Sequence, residues 1–162
     1  MNIETGAQRF FFFVSLFIKI KNLEKELEKY KVITKIPIQW ADMDAAQHVH
    51  NAMYLQLAEA GRILYADKMG IDLTFKKIGP ILGWQDCKYI FPITYPDTAI
   101  VGARVIEVLE DRFLMEIAVF SEKHQRISAL SKQQIIPYDY GKLKKVPLSQ
   151  DWIDGIEKLE NQ

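Results

Sequence analysis

The sequence predicts an α+β domain in which an antiparallel sheet of about five strands curls round one long helix. Three observations support this fold class. Residues 32–40 are rich in β-branched side chains, which is typical of a strand. Residues 51–69 carry apolar side chains at helical spacing round much of the circumference, so this helix must be enclosed by other structure. About four strand-like runs then follow, separated by short polar segments.

The elements follow in order along the chain. In the first strand, Pro37 indicates an edge position or a bulge, because proline cannot donate a ladder hydrogen bond. Residues 41–50 form a loop. The helix has one interior glycine, Gly61, and Gly70 is placed where a C-terminal cap is expected. The later strands follow one another as hairpins of a meander, and they occupy residues 81–93, 99–109, 113–120 and 127–136.

The C-terminal part is predicted to be irregular over residues 137–147 and helical over 152–159, with Asp151 as the cap. The predicted organisation is therefore an N-terminal extension (1–30), one domain (31–147) and a short helical tail (148–162). A sheet curled round one helix leaves an edge or a face free, so we expect self-association.

Composition excludes several classes of protein. The chain has 162 residues with 21 basic and 21 acidic side chains, and this balance argues against a nucleic-acid partner. Cys87 is the only cysteine, so an intrachain disulfide or a cysteine-based zinc site is impossible. It lies in an apolar strand pattern, which favours a core position over a nucleophile. A single thiol favours a reducing compartment, and we expect the cytoplasm.

The N-terminal run over residues 10–18 is strongly apolar, and a charged helical pattern follows it over residues 23–30. The run is too short to span a bilayer, which needs about 20 apolar residues. Three interpretations remain open: packing on the domain or on a partner subunit, an anchor at a membrane surface, or translation from an upstream start that is not the natural one. We favour packing.

Ionisable and amide side chains are concentrated between the first strand and the long helix, where Asp42, Asp44, His48, His50 and Asn51 occur together. The N-terminus of a helix presents free backbone N–H groups and a positive dipole end at such a junction. Asp44 is either a loop or capping carboxylate or a base or nucleophile for attack on an acyl carbonyl. In the second case the helix N–H groups would stabilise the oxyanion.

Other candidates have alternative interpretations. His48 and His50 near two carboxylates suggest a metal site, but we expect none, because the only other histidine, His124, is distant in sequence. We expect His48 to line a cleft and His50 to be a loop residue without a special role. Glu59 is either paired with Arg62, three residues on, or a second catalytic acid. Serine-hydrolase, P-loop and dinucleotide-binding motifs are absent from the sequence.

The segment Asp42-Met-Asp44-Ala-Ala-Gln-His48-Val-His-Asn51-Ala-Met-Tyr54-Leu resembles the signature of hotdog-fold acyl-CoA thioesterases of the 4-hydroxybenzoyl-CoA thioesterase type. The family pattern is roughly Asp-x-Asp-x-x-Gly-His-Val-Asn-Asn-x-x-Tyr-Leu, and the resemblance covers residues 31–140 in order. Two further matches follow it. The helix continues with Glu59-x-x-Arg62, and the stretch from Tyr89 to Asp97 is similar to a Pro-x-x-x-x-Asp segment that joins two sheet strands in the family.

The resemblance implies a hotdog fold, a homodimer or homotetramer (a dimer of dimers) with active sites between subunits, and no bound cofactor. It places the catalytic carboxylate at Asp44 and the oxyanion-binding backbone N–H at Asn51. We expect four residues to contact the acyl-CoA substrate: His48, Tyr54, Glu59 and Arg112, the last as a candidate for the CoA phosphates. An acyl-carrier-protein thioesterase and a non-catalytic module that binds acyl-CoA or a protein remain alternatives.

The chain departs from the family pattern at two positions in the motif. Gln47 stands where the family has glycine, and a positive φ there would strain a glutamine. His50 stands where the family has asparagine. Both substitutions lie in the loop that places Asp44.

Overall fold

The computed structural model describes residues 20–74 and 77–162, so the apolar run over residues 10–18 lies outside the described part of the chain. Three helices, one 3-10 turn and seven strands are formed within it. In chain order they are α1 (20–27), β1 (Val32–Pro37), the 3-10 turn (Trp40–Asp42), α2 (Asn51–Lys68), β2 (Ile78–Gln85), β3 (Lys88–Tyr89), β4 (Thr98–Val108), β5 (Phe113–Ser121), β6 (Arg126–Asp139), β7 (Lys144–Lys145) and α3 (Gln150–Glu160). None of the described helices is long and apolar enough to cross a membrane.

The sheet is antiparallel, and its five longer strands lie in the order β1-β4-β5-β6-β2. The predicted meander is correct for β4, β5 and β6. It is wrong for β2, which pairs with β6 at the far edge instead of with β4. The physical reason is α2, which carries the chain across the sheet between β1 and β2, so that β1 takes the place beside β4. The edge position that Pro37 indicated for β1 is confirmed.

The long helix packs across the concave face of this sheet. Gly61 sits at the closest approach, where an added Cβ would lie 2.8 Å from Val101 Cγ1 and 3.3 Å from Ile117 Cγ2. Tyr65, one turn further on, is completely buried. Gly70 ends the helix region with φ +80°, a conformation that glycine adopts without strain. The predicted helix and its terminal glycine are therefore confirmed.

The predicted strand over residues 81–93 is interrupted. A bulge lies between Leu82 and Trp84 in β2, and the chain then turns at Asp86, whose backbone N–H and Oδ1 bond the backbone of Lys132. Only the two residues of β3 resume pairing with β6. Hydrophobicity does not reveal this break, because Leu82 before it and Cys87 after it both pack against the core.

The C-terminal part is more regular than predicted. Strand β6 continues through Pro137 to Asp139, and β7 pairs with its end. The Pro137 carbonyl accepts a hydrogen bond from the Val146 N–H at 3.0 Å, which joins β6 to the segment that follows β7. Helix α3 begins two residues earlier than predicted and is capped by Ser149, not by Asp151. Residues on α3 complete the core beside α2: Ile156 and Leu159.

The convex face of the sheet is covered near its middle by the segment that follows the N-terminal run. Leu23 from α1 and Tyr30 just after it form a second buried cluster with Ile100 of β4 and Phe120 of β5. The rings of Tyr30 and Phe120 meet edge to face, with 6.0 Å between centroids. The charged pattern predicted to be helical over residues 23–30 is therefore helical only as far as residue 27, and its apolar side packs on the sheet.

Candidate functional site

The loop between the 3-10 turn and α2 is folded tightly on itself. Met43 and Val49 form a bridge across its base. At the tip, the Asp44 N–H donates to the His48 carbonyl at 2.8 Å, and the Gln47 N–H donates to the Asp44 carbonyl at 3.0 Å. Gln47 has φ +63°, so this position requires the left-handed conformation that a glycine would adopt freely. The glutamine is strained there by about 1 kcal/mol.

Asp44 is half-buried within this loop. Its Oδ1 accepts a hydrogen bond from the Ala46 N–H at 2.8 Å, so the side chain helps to hold the turn. Its Oδ2 has no hydrogen-bond partner among the residues that the structure describes. Asp44 can therefore hold the turn through Oδ1 and act as a base or nucleophile through Oδ2, so the two interpretations of this residue are compatible.

The N-terminus of α2 is organised by His50. Its Nδ1 accepts from the Ala52 N–H at 3.1 Å, and its carbonyl accepts from the Met53 N–H at 2.9 Å. The prediction that His50 has no special role is therefore wrong: it is the N-cap of the helix. Within residues 20–74 and 77–162, the Asn51 N–H has no hydrogen-bond acceptor, so it remains available to a ligand.

An open cleft of about 330 Å³ lies between the Asp44 loop, the start of α2 and the segment after β3. It brings together four residues predicted for the site, which are Asp44, His48, Asn51 and Tyr54. Its remaining walls are Val49 and the segment 89–92. Asp44, Asn51 with its unpaired helix N–H, and aromatic residues therefore line one cleft.

Two tyrosines form the inner wall of this cleft. The Tyr54 hydroxyl accepts a hydrogen bond from the buried Ile93 N–H at 3.0 Å, and burial raises the pKa of Tyr54. The Tyr89 ring packs edge to face on Tyr54, with 5.5 Å between centroids. Its hydroxyl donates to the Asn51 carbonyl at 3.3 Å. Tyr54 thus connects the start of α2 to the segment after β3, and Tyr89 connects it to β3 itself.

The segment after β3 is also fixed at its other end. Asp97, the last residue of the matched Pro-x-x-x-x-Asp stretch, accepts hydrogen bonds from the Ser121 hydroxyl and from the Lys123 N–H. It therefore has a structural role, which is to hold this segment against the β5–β6 turn. Phe91, a cleft residue, lies under the Arg126 guanidinium, with 4.3 Å from the guanidinium carbon to the ring centroid.

Glu59 lies outside this cleft in the subunit. It is paired with Arg62 at 2.8 Å, and Arg62 also donates to the buried Gln133 at 3.0 Å. Burial lowers the pKa of Arg62. Glu59 and Arg62 line a separate groove of about 190 Å³ beside β2, the sheet-edge strand. The predicted pairing of Glu59 with Arg62 is confirmed.

Arg112 occupies the turn between β4 and β5, as the sequence indicated, but it does not line the Asp44 cleft. Its guanidinium pairs with Asp111 at 2.6 Å and donates to Gln134 at 3.3 Å.

Among the described residues, no group of three histidine, cysteine, aspartate or glutamate side chains is arranged to hold a metal ion.

The sequence interpretation did not assign Tyr89 or Phe91 to the site. The signal was present, because the segment from Tyr89 to Asp97 matched a family stretch. That match indicated a connection between strands, and only the antiparallel pairing of β3 with β6 brings the segment to the start of α2.

Comparison with known proteins identifies the family. A family model described as the thioesterase-like superfamily matches residues 38–156, which include the Asp44 loop, α2 and the longer strands other than β1. The chain belongs to this superfamily. Membership in the thioesterase-like superfamily confirms the prediction of a thioester hydrolase. Comparison with curated protein sequences finds no match.

Solved structures of similar fold include a thioesterase complexed with coenzyme A and zinc from Thermus thermophilus. It is 24% identical, with a TM-score of 0.75 over 83% of this chain and 98% of that one. A 1,4-dihydroxy-2-naphthoyl-CoA thioesterase from Synechocystis is 17% identical, with a TM-score of 0.70 over 80% and 97%. A DHNA-CoA thioesterase from Staphylococcus aureus is 21% identical, with a TM-score of 0.71 over 80% and 91%. These likenesses confirm the hotdog fold.

Proposed function

We propose that the protein hydrolyses acyl-CoA thioesters to a free acid and CoA, with Asp44 as the general base or nucleophile and the Asn51 N–H as the oxyanion donor. The observation that carries this proposal is the meeting of a carboxylate oxygen without a partner and an unpaired helix N–H in one cleft of the described chain. The names of the similar solved structures, which include CoA thioesterases, support the substrate class.

The chemistry needs few groups. Asp44 Oδ2 removes a proton from water, or attacks the carbonyl carbon itself and forms an anhydride that water then cleaves. The carbonyl oxygen gains negative charge, and the Asn51 N–H and the positive end of α2 stabilise it. The C–S bond breaks and CoA leaves as a thiolate, which is a good leaving group and needs no strong general acid.

The CoA phosphates require cations near the cleft. Arg126, which lies over Phe91, is better placed for this contact than Arg112, which pairs with Asp111 on the far turn. His48 and Tyr54 line the cleft and are proposed to contact the acyl-pantetheine portion.

We propose a homodimer through the β2 edge, which could extend to a dimer of dimers. Exposed apolar residues support this surface: Trp84 at 51%, Ile78 at 46% and Ile63 at 45% exposure.

The decisive experiment measures free-thiol release from a panel of acyl-CoAs, from acetyl to palmitoyl plus benzoyl. Asp44→Asn should lower kcat by about two to four powers of ten on the best substrate, the scale for losing a general base. Asp42→Asn is the matched control, because among the described residues the Asp42 carboxylate accepts only from the Gln39 N–H, at 2.7 Å, and an amide oxygen can replace it. Glu59→Gln should have a smaller effect than Asp44→Asn.

Several results would contradict this proposal. If Glu59→Gln abolishes activity and Asp44→Asn does not, the helix carboxylate is the catalyst. If wild-type protein hydrolyses acyl groups only from acyl carrier protein, the carrier-protein alternative is correct. Recognition of the acidic carrier is then expected to depend on electrostatic attraction. Binding of acyl-CoA without any thiol release would identify the non-catalytic module.

A further inference from the structure

The strongest additional feature is the way in which His50 holds the first turn of α2. Its imidazole accepts from the Ala52 N–H at 3.1 Å, and its backbone N–H donates to the Asp42 carbonyl at 2.9 Å. It does not line the Asp44 cleft. Any effect of His50 on the reaction therefore passes through the backbone that it holds.

The peptide group between Asn51 and Ala52 is held from both sides. Tyr89 donates to its carbonyl oxygen at 3.3 Å, and His50 Nδ1 accepts from its N–H at 3.1 Å. These two contacts fix the orientation of the first helical residue, whose own N–H is the unpaired donor at the cleft. A shift of this peptide would change the direction of the Asn51 N–H. Misplacing a catalytic group by about 1 Å is enough to lower the rate of a reaction.

The contact requires a particular protonation state. A histidine nitrogen accepts a hydrogen bond only when it carries no proton, so Nδ1 must be bare and the proton must be on Nε2. An imidazolium would lose this contact and would place a positive charge at the positive end of a helix. Histidine is the side chain that changes charge between about pH 5 and 8.

We propose that His50 is a positioning residue that, in its neutral form, fixes the first turn of α2 and with it the Asn51 N–H, so that turnover declines when the imidazole is protonated. This inference rests on the proposed role of Asn51. The ionisable groups of the surrounding elements are Asp42, Asp44 and His48 in the same loop and Tyr89 in β3. Within the described ranges, none of them forms a hydrogen bond or ion pair with the imidazole.

The test compares wild type, His50→Asn and His50→Ala. Asparagine is among the best N-caps and does not titrate, whereas alanine removes the acceptor. At pH 8 we expect His50→Asn to retain wild-type kcat within about twofold and His50→Ala to lose about three- to thirtyfold, the factor equivalent to losing a cap. As pH falls to 5, kcat of wild type should approach that of His50→Ala, whereas His50→Asn should lack this decline. An acid limb that persists unchanged in His50→Asn would overturn the proposal, as would wild-type kcat in His50→Ala.

A second measurement separates this inference from the proposed function. Amide hydrogen-exchange protection of Ala52, followed by NMR without substrate, should fall from pH 8 to pH 5 in wild type and stay constant in His50→Asn. Equal protection in His50→Ala and wild type at pH 8 would overturn the positioning role, even if the enzyme is active. Absence of turnover with every acyl-CoA would instead overturn the proposed function, and the exchange data would still decide what His50 does.

Discussion

Replacing Leu23 by alanine tests whether the segment beside the N-terminal run belongs to the folded unit. Leu23 is 6% exposed and packs in the convex-face cluster with Tyr30, Ile100 and Phe120. Burying a leucine side chain contributes about 1.5–3 kcal/mol, and core Leu→Ala changes cost about 2–5 kcal/mol. Because α1 lies at the periphery and can settle toward the sheet, we expect a loss of about 2 kcal/mol, at the low end of that range.

Urea unfolding followed by circular dichroism measures this loss as a lower midpoint. Glu24→Ala is the matched control, since Glu24 is exposed on the same helix and its removal should change stability by less than about 0.5 kcal/mol. Acyl-CoA hydrolysis at about 25 °C should be unchanged in both variants, because α1 contributes no residue to the Asp44 cleft.

The double variant Leu23→Ala/Leu27→Ala sharpens the test. Leu27 is partly buried on the same cluster. If Leu23→Ala already detaches α1, the second change adds little, so the two losses should be less than additive. Equal midpoints for Leu23→Ala and Glu24→Ala would refute the reasoning, and the segment would then be a loosely attached arm, as a surface anchor requires.

The remaining predictions concern the Asp44 loop and metal. Because Gln47 has φ +63°, Gln47→Gly should be more stable to urea than Gln47→Ala by about 1 kcal/mol; a more stable alanine variant would show that the left-handed conformation is not populated in solution. Activity should survive prolonged EDTA treatment, since no group of three suitable side chains is arranged for a metal in residues 20–74 and 77–162. Loss of activity that one metal restores would contradict this.

The part of the site that is local in sequence could be predicted. Asp44, His48, Asn51 and Tyr54 lie within one loop and one helical turn, so the strand-to-helix junction alone brings them to the same cleft. The helix was also predictable, because its apolar spacing and Gly70 agree with each other. Agreement between local signals of this kind makes an element predictable from sequence.

The part that depends on strand order could not be predicted. Tyr89 reaches the start of α2 only because β3 pairs with β6, and Glu59 lies in a different groove only because β2 takes the far edge. His50 was missed for another reason: histidine is not among the preferred N-cap residues, so its type gave no capping signal. Its capping contact becomes visible only in the folded geometry.

The α1 segment has a consequence for how copies of the chain can assemble. A sheet with a bare convex face can stack back to back with another, but here Leu23 and Tyr30 already cover β4 and β5 at the middle of that face. A second molecule could stack there only by displacing them and giving up the burial that they provide. In the proposed assembly, further copies would therefore have to pack on other surfaces, because this stretch of chain disfavours back-to-back stacking over the middle of the sheet.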